Sequence, residues 1–575
     1  MSKSLNYINN TLQKKISKNI ECREWHSSII LEGMVATWDD AIKAGKFSAK
    51  HGYKGVVNRL EVSNLLLPKV KEPLIKDNYL EGKKVDVLII GGGIIGASIA
   101  RELSKWDISI LLLEKEEDLA MQTSSRNDGM IHPGIEPKPG SKRSKFNVKG
   151  NAMYTKIAEE LNVPINRLGS NILFDKKWVK LLSPVIMSRA KNVGVPGVQF
   201  LSKKEVMCLE KNITNNIEGA VHFNSTAVTS PYKMTLAYAE NAVMNGAEVC
   251  LNTIVKAMHM ENQNIIKVMT NRGTIYPKIV VNASGVFSDS IANMAGDQFF
   301  TIHPRKGEIV FLDKKKGHLI NSVIAMPTLT LAKTDTKGGG VVKTIDGNIL
   351  LGPDAYEQPY KEDFSTNKRN IDNILNKFLP LVNGLSRSDV ITYCSGTRAA
   401  TYEEDFIIEK SEYVKNLIHA AGIQSPGFAS APAIAEEIER LTCETLAKTM
   451  EVKPKEHWNP IRKSIPDLSS MSFEERSKII KNNPSFGEII CRCEEISKGE
   501  IISAINSPIP ATTVDGIKRR VRAGMGRCQG GFCLPLVMNI IHEESGKEMT
   551  EITKLGGKSN ILLKETKADE AYLKE

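Results

Sequence analysis

Long apolar runs are missing from the 575-residue sequence. A membrane-spanning helix needs roughly 18 or more consecutive apolar residues, and no segment reaches that length. Residues 1–19 are polar and lack the apolar core of a signal peptide. These absences predict a cytoplasmic protein that does not span a membrane, and they leave peripheral contact with a membrane surface open.

Long blocks of one charge are also missing. The sequence has 77 basic and 66 acidic residues, a net charge of +11, and the two signs are interleaved. Proteins that bind nucleic acid usually concentrate their basic residues in one stretch or on one face, so this pattern predicts no nucleic-acid partner. The surplus positive charge is better explained by an ordinary charged surface or by a small anionic substrate. Nothing in the composition fixes the oligomeric state.

Cysteine is sparse over most of the chain and crowded in one segment near the C-terminus. Five of the nine cysteines are isolated, and we expect these to be inert core thiols: Cys22, Cys208, Cys250, Cys394 and Cys443. The other four lie within 43 residues, as a C-x-C pair and a C-x4-C pair: Cys491, Cys493, Cys528 and Cys533. Thiolates at these spacings can hold an iron–sulfur centre or a structural zinc ion. The spacing alone leaves both open.

A glycine-rich turn near residue 91 is the strongest local signal in the sequence. The branched apolar run Val85–Ile90 predicts a buried strand, and Gly91, Gly93 and Gly96 follow it in G-x-G-x-x-G spacing before an amphipathic helix. A second apolar strand ends at Glu114, where a carboxylate can accept hydrogen bonds from a ribose diol. This order of strand, glycines, helix, strand and acid predicts a dinucleotide cofactor at the turn.

Motifs downstream of the turn resemble a known family. The loop Thr123–Ile135, the strand and turn Val281–Asp289 and the loop Gly422–Pro432 read TSSRNDGMIHPGI, VNASGVFSD and GIQSPGFASAP. With the glycine turn they resemble the flavoprotein oxidoreductases of the D-amino-acid-oxidase type, particularly the glycerol-3-phosphate and L-2-hydroxyglutarate dehydrogenases. The resemblance covers residues 85 to 450 and implies FAD, a Rossmann-like FAD-binding domain and an antiparallel-sheet substrate domain. A hairpin predicted from Gly338 to Pro353 would belong to that sheet.

The resemblance also assigns roles to individual residues. The FAD contacts that it implies are Gly91, Gly93, Gly96, Glu114, Thr123, Ser124, Arg126, Asn127, Gly129, Ala283, Gly285, Gly422, Ser425 and Gly427. His132 lies in the loop that runs beneath the flavin ring in the family, where it would deprotonate or polarise a substrate hydroxyl. Arg398 would hold an anionic substrate, because a guanidinium can bind carboxylate or phosphate with two hydrogen bonds. Arg305 and Lys306 are candidates for a second phosphate contact.

The segments around the clustered cysteines resemble a second family. ICRCEE, DGIKRR and AGMGRCQGGFCLP are similar to the bacterioferritin-associated-ferredoxin-like domain, a helical unit that holds a 2Fe-2S cluster. The resemblance implies that Cys491, Cys493, Cys528 and Cys533 are its ligands and that glycine N–H groups approach their sulfurs. It favours the cluster over zinc.

The N-terminal part gives the least specific signal. A strand–helix–strand unit between Glu32 and Val62, preceded by a polar helix or loose arm, resembles the small α/β module of the BON type. A local extension that caps the flavin domain explains the same residues. Two further stretches, 65–84 and 453–470, are expected to be linkers.

Together these patterns predict an α/β protein with a Rossmann-like FAD-binding domain, an antiparallel-sheet substrate domain, a small N-terminal α/β module and a C-terminal helical iron–sulfur domain. The predicted parts are residues 1–75 (arm and BON-like module), 82–450 (FAD-dependent oxidoreductase), 484–545 (2Fe-2S domain) and 546–575 (tail). The predicted reaction oxidises glycerol 3-phosphate to dihydroxyacetone phosphate. Electrons would pass through the cluster to a redox partner protein, for which a flavin- or NAD-linked reductase subunit is one option. L-2-hydroxyglutarate or another 2-hydroxy acid is the alternative substrate, and an electron-transfer subunit without substrate chemistry is the alternative class.

Overall fold

The structure is a computed structural model that describes residues 3–326 and 339–564. Gly338 of the expected hairpin lies outside the described residues, as do the first two residues of the expected arm and residues 565–575 of the expected tail. Within the described ranges, no helix is long and apolar enough to cross a membrane.

The N-terminal unit is a small α/β layer. Its elements are α1 Lys3–Lys15, β1 Glu21–Trp25, β2 Ser28–Glu32, β3 Met34–Val35, α2 Trp38–Ser48, β4 Val56–Asn58 and β5 Glu61–Val62. Strand β2 pairs in parallel with β4, and α2 connects them, so the expected strand–helix–strand order is present. The hydroxyl of Thr37 caps α2 by accepting a hydrogen bond from the backbone of Asp40. The core of this unit includes Tyr402 from the central part of the chain.

The central part contains two large sheets whose elements are interleaved along the chain. In chain order these elements are β6 Lys83–Ile90, α3 Ile94–Leu103, β7 Ile110–Leu113, β8 Met130–Ile131, α4 Lys142–Glu160, β9 Ile165–Asn166, β10 Ser170–Phe174, α5 Ser183–Val193, β11 Val198–Ser202, α6 Lys203–Leu209, β12 Gly219–Phe223, β13 Ala227–Thr229, α7 Pro231–Met244, β14 Glu248–Cys250, β15 Val255–Glu261, β16 Asn264–Thr270, β17 Gly273–Asn282, α8 Ser288–Met294, β18 His303–Leu312, β19 Val323–Ala325, β20 Gly340–Lys343, β21 Ile349–Gly352, β22 Tyr356–Glu357, α9 Lys368–Phe378, β23 Val390–Ala400, β24 Ile407–Lys410, β25 Leu417–Ala421 and α10 Gly427–Leu446.

The first large sheet carries the glycine turn. Its strands are ordered β14-β7-β6-β17-β16-β15, and β25 and then β24 extend it beyond β17. The strands β14, β7, β6, β17 and β25 pair in parallel. Alternate residues of β6 pack on opposite faces: Val87 and Ile89 contact the layer of α3, α4, α7 and α10, whereas Leu88 and Ile90 pack on the other side. Burial on both faces explains why β6 is a continuous apolar run.

The second large sheet is mostly antiparallel and lies over the carboxyl ends of the first. Its order is β11-β12-β10-β19-β20-β21-β18-β22, and β23 also pairs with β18. The long ladder between β18 and β23 places Gly307 opposite Gly396 and Arg305 opposite Arg398. Strands β20 and β21 form the described part of the predicted hairpin. The Rossmann-like domain and the antiparallel substrate sheet are therefore confirmed.

The C-terminal part is a helical unit attached by a packed connection. Its elements are α11 Phe473–Asn482, β26 Ile489–Cys491, β27 Ile496–Ser497, α12 Lys498–Ile505, α13 Val514–Val521 and α14 Leu534–Ser545. The preceding stretch, expected to be a linker, lies along the central part: the N–H of Asp107 donates to the carbonyl of Lys453 (2.8 Å), and Arg462 forms a buried ion pair with Glu240. A second buried ion pair, Arg520–Asp118, joins α13 to the FAD-binding part (2.7 Å).

Candidate active site

The glycine turn brings three backbone segments into close approach. Gly91 has a φ of +114°, and a Cβ there would lie 2.5 Å from the carbonyl oxygen of Ala283. A Cβ at Gly96 would lie 1.9 Å from the carbonyl oxygen of Gly91. Any side chain at either position would therefore push β6, β17 and α3 apart. The turn leaves the N-terminus of α3 facing a cavity, which is the geometry that binds a pyrophosphate.

Glu114 lies at the carboxyl end of β7 and lines that cavity. Its carboxylate accepts hydrogen bonds from the N–H groups of Gly92 (2.8 Å) and Glu116 (2.9 Å). Burial raises the pKa of Glu114 to about 7, although these two hydrogen bonds act against the rise. The position and chemistry fit an acceptor for ribose hydroxyls.

The cavity has a volume of about 460 Å³, within the range of cavities that bind small molecules and cofactors. It extends from Glu114 along the glycine turn to Arg398 in the substrate sheet. It is lined by all but three of the fourteen residues predicted to contact FAD. The three exceptions, Gly96, Gly129 and Gly422, shape the backbone instead: a Cβ at Gly129 would lie 2.3 Å from the carbonyl of Thr229, and Gly422 has a φ of +63°. This elongated cavity with a close-approach turn at one end fits FAD.

The loop that begins at Thr123 is held between the two sheets. The hydroxyl of Thr123 donates to the carbonyl of Thr397 in β23 (2.6 Å). The hydroxyl of Ser124 accepts from the N–H of Ile94 at the start of α3 (2.9 Å). The guanidinium of Arg126 donates to the carbonyl of Met121 (3.1 Å). These contacts fix the loop along one wall of the cavity, where the family resemblance places it next to the flavin.

His132 lines the same cavity. Its carbonyl accepts hydrogen bonds from the side-chain amides of Asn147 and Asn151, both at 2.9 Å. Both asparagines are buried on α4. The backbone that carries the imidazole is therefore anchored to a rigid helix, as a group that moves a proton requires.

Arg398 projects into the cavity from β23. Its guanidinium donates to the carbonyls of Asp354 (3.1 Å) and Lys306 (3.4 Å). Burial and the nearby charge of Arg305 lower the pKa of Arg398, but an arginine stays protonated in proteins. A Cβ at Gly307 would lie 2.6 Å from the Arg398 guanidinium, so this glycine makes room for it. A partly buried cation whose hydrogen bonds go to neutral carbonyls is suited to hold an anion.

In the described part of the chain, the residues that line the cavity include neither Arg305 nor Lys306. Successive residues of a strand point to opposite faces of the sheet. Arg305 and Lys306 therefore lie on opposite faces of β18, and each forms ion pairs on its face. Arg305 forms ion pairs with Glu357 and Glu404, and Lys306 pairs with Asp363 (2.9 Å). These carboxylates already neutralise both cations, which argues against the predicted phosphate contact. Sequence reasoning could not find the acids because they lie far along the chain.

Sequence reasoning also missed residues that shape the cavity. Gly307 and Gly396 face each other across the β18–β23 ladder, and a Cβ at Gly396 would lie 2.7 Å from the Cβ of Arg126. Gln424 lines the cavity next to the predicted Ser425 and is almost fully buried. The sequence shows these glycines in the stretches HPRKGE (303–308) and YCSGTRA (393–399), but it does not show that the two stretches pair as neighbouring strands.

The four clustered cysteines lie together in two pairs. The sulfurs of Cys493 and Cys528 are 3.6 Å apart, and Cys491 is hydrogen-bonded to Cys533. A tetrahedral metal with bonds of about 2.3 Å holds its thiolates roughly 3.8 Å apart, so the first pair fits one metal atom. Two pairs fit a binuclear cluster, in which each metal atom takes two of the four thiolates.

Backbone N–H groups surround these sulfurs. Burial raises the pKa of Cys528, but N–H groups of Phe532, Gly530 and Gly531 lower it below the usual thiol value. The hydrogen bond with Cys533 and the N–H of Gly524 lower the pKa of Cys491. Such donors stabilise thiolate charge and tune a cluster's potential. Of the five isolated cysteines, Cys208 is exposed rather than buried, contrary to expectation.

The fold and the cavity define a flavin-dependent oxidoreductase that carries a second redox domain. The model of the FAD dependent oxidoreductase family matches residues 86–441, and the chain belongs to that family. The model of the BFD-like 2Fe-2S binding domain matches residues 489–543. The cofactors are FAD and a 2Fe-2S cluster, so zinc is no longer an alternative.

Similar proteins cover most of the chain. A glycerol 3-phosphate dehydrogenase from Caloramator mitchellensis is 41% identical over 485 residues, which are 84% of this chain and 99% of that protein. A glycerol 3-phosphate oxidase from Mycoplasma genitalium is 29% identical over 65% of this chain and 97% of its own length. Among solved structures, a dithionite-reduced L-alpha-glycerophosphate oxidase from Mycoplasma pneumoniae with FAD bound has a TM-score of 0.61 and 26% identity, and covers 67% of this chain and all of its own.

Proposed function

We propose that this oxidoreductase converts glycerol 3-phosphate into dihydroxyacetone phosphate. The secondary alcohol loses a hydride from carbon and a proton from its hydroxyl, and a carbonyl forms. FAD supplies the hydride acceptor when bound, and a 2Fe-2S cluster supplies one-electron transfer. The single observation that carries the proposal is that His132 and Arg398 line one cavity together with the glycine turn. The 41% identity with a glycerol 3-phosphate dehydrogenase favours this substrate over a hydroxy acid.

The two residues have different tasks in this proposal. Arg398 binds the phosphate, since its guanidinium is a cation held by two carbonyls at the substrate end of the cavity. His132 accepts the hydroxyl proton, because its backbone is anchored and its ring borders the same space. The apolar neighbours Met130, Ile309 and Phe428 line the cavity and limit access of water.

The test is reduction of the bound flavin in the purified holoprotein without oxygen. Glycerol 3-phosphate is expected to bleach the flavin absorption band, whereas L-2-hydroxyglutarate is not. Arg398→Met is expected to raise the substrate concentration needed for half-maximal bleaching by on the order of a hundredfold, since a charge-assisted hydrogen-bond pair is lost. Bleaching by the hydroxy acid alone would overturn the choice of substrate. Bleaching by neither would favour an electron-transfer subunit without substrate chemistry.

We also propose that electrons leave through the cluster to a redox protein. Helix α13 contacts the segment that carries a cluster ligand: Lys518 donates to the side chain of Gln529 (3.2 Å), the neighbour of Cys528. Burial raises the pKa of Cys394 to about 11, and the nearby charges of Arg126 and Lys518 act against that rise. Lys518 therefore lies close to the wall that Arg126 forms and also close to the cluster. This proximity supports transfer within the chain.

Exposed residues next to the cluster ligands support the proposal that another protein accepts the electrons. Phe532 is 83% exposed, although its N–H donates to the sulfur of Cys528. Leu536, one helical turn further on, is also exposed, and so is Arg492 between two of the ligands. An exposed aromatic residue next to a redox centre is suited to contact another protein. Peripheral contact with a membrane stays a prediction.

A cysteine variant separates the two steps. Cys493→Ser is expected to keep substrate-driven flavin bleaching but to lose the visible absorption of the cluster and transfer to it. Cys208→Ser is the matched control, because Cys208 is exposed and isolated. If Cys493→Ser kept the cluster's absorption and its reduction by substrate, Cys493 would not be a ligand. If Cys493→Ser lost flavin bleaching while Cys208→Ser kept it, the proposed order of transfer would be wrong.

A further inference from the structure

We infer that Arg305, Glu404 and Gln424 position the wall of the flavin cavity, and that the N-terminal unit holds these three residues in place. The wall in question is the segment 423–428, here called the closing loop, which lines the cavity over its whole length. The inference rests on the proposed function for its kinetic consequence but not for its effect on flavin binding. It gives a role to Arg305, which does not reach the cavity, and to the N-terminal unit.

The three side chains form a closed set of hydrogen bonds. The amide of Gln424 donates to Glu404 (2.6 Å) and its oxygen accepts from Arg305 (3.2 Å). Arg305 donates to both carboxylate oxygens of Glu404. Both ends of the Gln424 side chain are therefore held by charged groups. Gln424 is 5% exposed, so water cannot replace these bonds readily.

Arg143 fixes the backbone at the same place. Its guanidinium donates to the carbonyl of Glu404 (2.8 Å) and to the carbonyl of Ser425 (2.7 Å). The closing loop is thus held at two consecutive residues: at Gln424 through its side chain and at Ser425 through its carbonyl. Ser425 lines the cavity, so its position depends on these contacts. The arrangement positions the loop and engages Arg305 with protein groups outside the lining of the cavity.

The N-terminal unit forms hydrogen bonds with the two residues that precede Glu404. Tyr402 accepts a hydrogen bond on its hydroxyl from the side chain of Asn58 (2.8 Å). Glu403 accepts from the N–H of Val56 in β4 (2.8 Å). The next residue, Glu404, has a φ of +57°, a left-handed conformation that is costly for a residue with a side chain. Tyr402 and Glu403, which are hydrogen-bonded to the N-terminal unit, thus directly precede Glu404, the strained residue that binds Gln424.

A second contact links the unit to the other side of Arg305. Glu357 pairs with Arg305 (3.0 Å), with His303 (2.7 Å) and with Lys46 of helix α2 (3.3 Å). Burial would raise the pKa of Glu357, but the hydrogen bond from His303 and the surrounding cations lower it to about 2. The carboxylate therefore stays ionised. The N-terminal unit reaches the closing loop by two routes, one through the 402–404 turn and one through Glu357.

The first test uses Glu404→Ala and Glu404→Gln in the purified holoprotein. Glu404→Ala is expected to weaken FAD binding by on the order of tenfold or more, because charge-assisted bonds to Arg305 and Gln424 are lost, and to shift the flavin absorption band. It should also raise KM for glycerol 3-phosphate more than it lowers kcat. Glu404→Gln keeps the hydrogen-bonding shape, so it should restore most of the affinity and the band position. Unchanged FAD affinity and an unchanged spectrum in Glu404→Ala would overturn the inference.

The second test asks whether the N-terminal unit acts through the same residues. Asn58→Ala removes the bond to Tyr402 and is expected to weaken FAD binding by about threefold to tenfold, although Asn58 does not line the cavity. Its effect should be less than additive with that of Glu404→Ala. Arg23→Ala is the control, since its ion pair with Glu32 is exposed on the same unit. If Asn58→Ala prevents folding, Tyr402→Phe removes only the hydroxyl.

The outcomes also separate this inference from the proposed function. FAD affinity and the flavin spectrum can be measured whether or not glycerol 3-phosphate is a substrate. Normal FAD binding in Asn58→Ala and Tyr402→Phe, or strictly additive effects with Glu404→Ala, would overturn the role of the N-terminal unit. Weakened binding with no turnover of glycerol 3-phosphate by the unaltered protein would support the inference and contradict the substrate.

Discussion

Asp118→Asn is predicted to loosen the 2Fe-2S domain from the FAD-binding part. Arg520 of α13 donates to both carboxylate oxygens of Asp118, at 2.7 and 3.0 Å, and the hydroxyl of Tyr232 donates to the same carboxylate at 2.7 Å. Burial would raise the pKa of Asp118, but the charge of Arg520 lowers it, so the pair is ionised. The amide would leave the Arg520 charge unbalanced in a buried site.

The structure sets the size of the effect. The two residues are 3% and 4% exposed, so water offers little compensation. Removing one partner of a buried ion pair costs about 3 to 5 kcal/mol. Arg520 keeps its hydrogen bonds to the carbonyls of Ile509 and Gly516, which favours the lower end. For a unit of this size, about 3 kcal/mol lowers Tm by roughly 12 to 24 °C.

Calorimetry of the holoprotein and the rate of cluster reduction after flavin reduction are the two assays. We expect the transition that releases the cluster domain to occur at lower temperature and the cluster to be reduced more slowly. Arg23→Met is the control, because an exposed ion pair contributes only about 0 to 1 kcal/mol. Equal transitions and equal rates in Asp118→Asn and the unaltered protein would refute the idea that this pair holds the domains together.

Two further predictions concern the cavity. Gly307→Ala places a Cβ 2.6 Å from the Arg398 guanidinium and 2.8 Å from the carbonyl of Asp354. We expect this variant to raise KM for the phosphate substrate in steady-state assays. An unchanged KM would show that substrate binding does not depend on this position of the guanidinium. Burial raises the pKa of Glu114 from 4.5 in the unfolded chain to about 7 in the folded protein. Its contribution to apoprotein stability is therefore full below 4.5 and is lost as pH rises through 7. Glu114→Gln should therefore flatten the fall in Tm over that window, and parallel Tm–pH curves for the two proteins would contradict the buried environment.

Local patterns predicted the FAD-binding part well because its determinants are close in sequence. Gly91 and Gly96 belong to one turn, and Glu114 follows on the next strand. Local patterns predicted less well the role of β18, the strand that carries Arg305 and Lys306. Their charge suggested a phosphate site, but Glu357, Glu404 and Asp363 neutralise them from positions that no local pattern connects to the strand. Distant acids can be found only from the fold.

The N-terminal unit and the connection before the cluster domain show the same limit. The strand–helix–strand order could be predicted from the local sequence pattern, whereas the contacts of Asn58 with Tyr402 and of Arg462 with Glu240 join segments hundreds of residues apart. Similarity predicted the cysteines as ligands, and their pairing came from the structure. The division into residues 1–75, 82–450, 484–545 and 546–575 stays a prediction, which limited proteolysis of the holoprotein can test.

The most direct test of the central claim is to add glycerol 3-phosphate to the purified holoprotein without oxygen and without any other protein, and to record flavin absorption and the paramagnetic resonance of the cluster together. The account predicts that the flavin bleaches first and that the signal of a reduced 2Fe-2S cluster then appears. A bleached flavin beside a cluster that stays oxidised, yet is reduced by a chemical reductant of the same potential as the flavin, would contradict transfer within the chain.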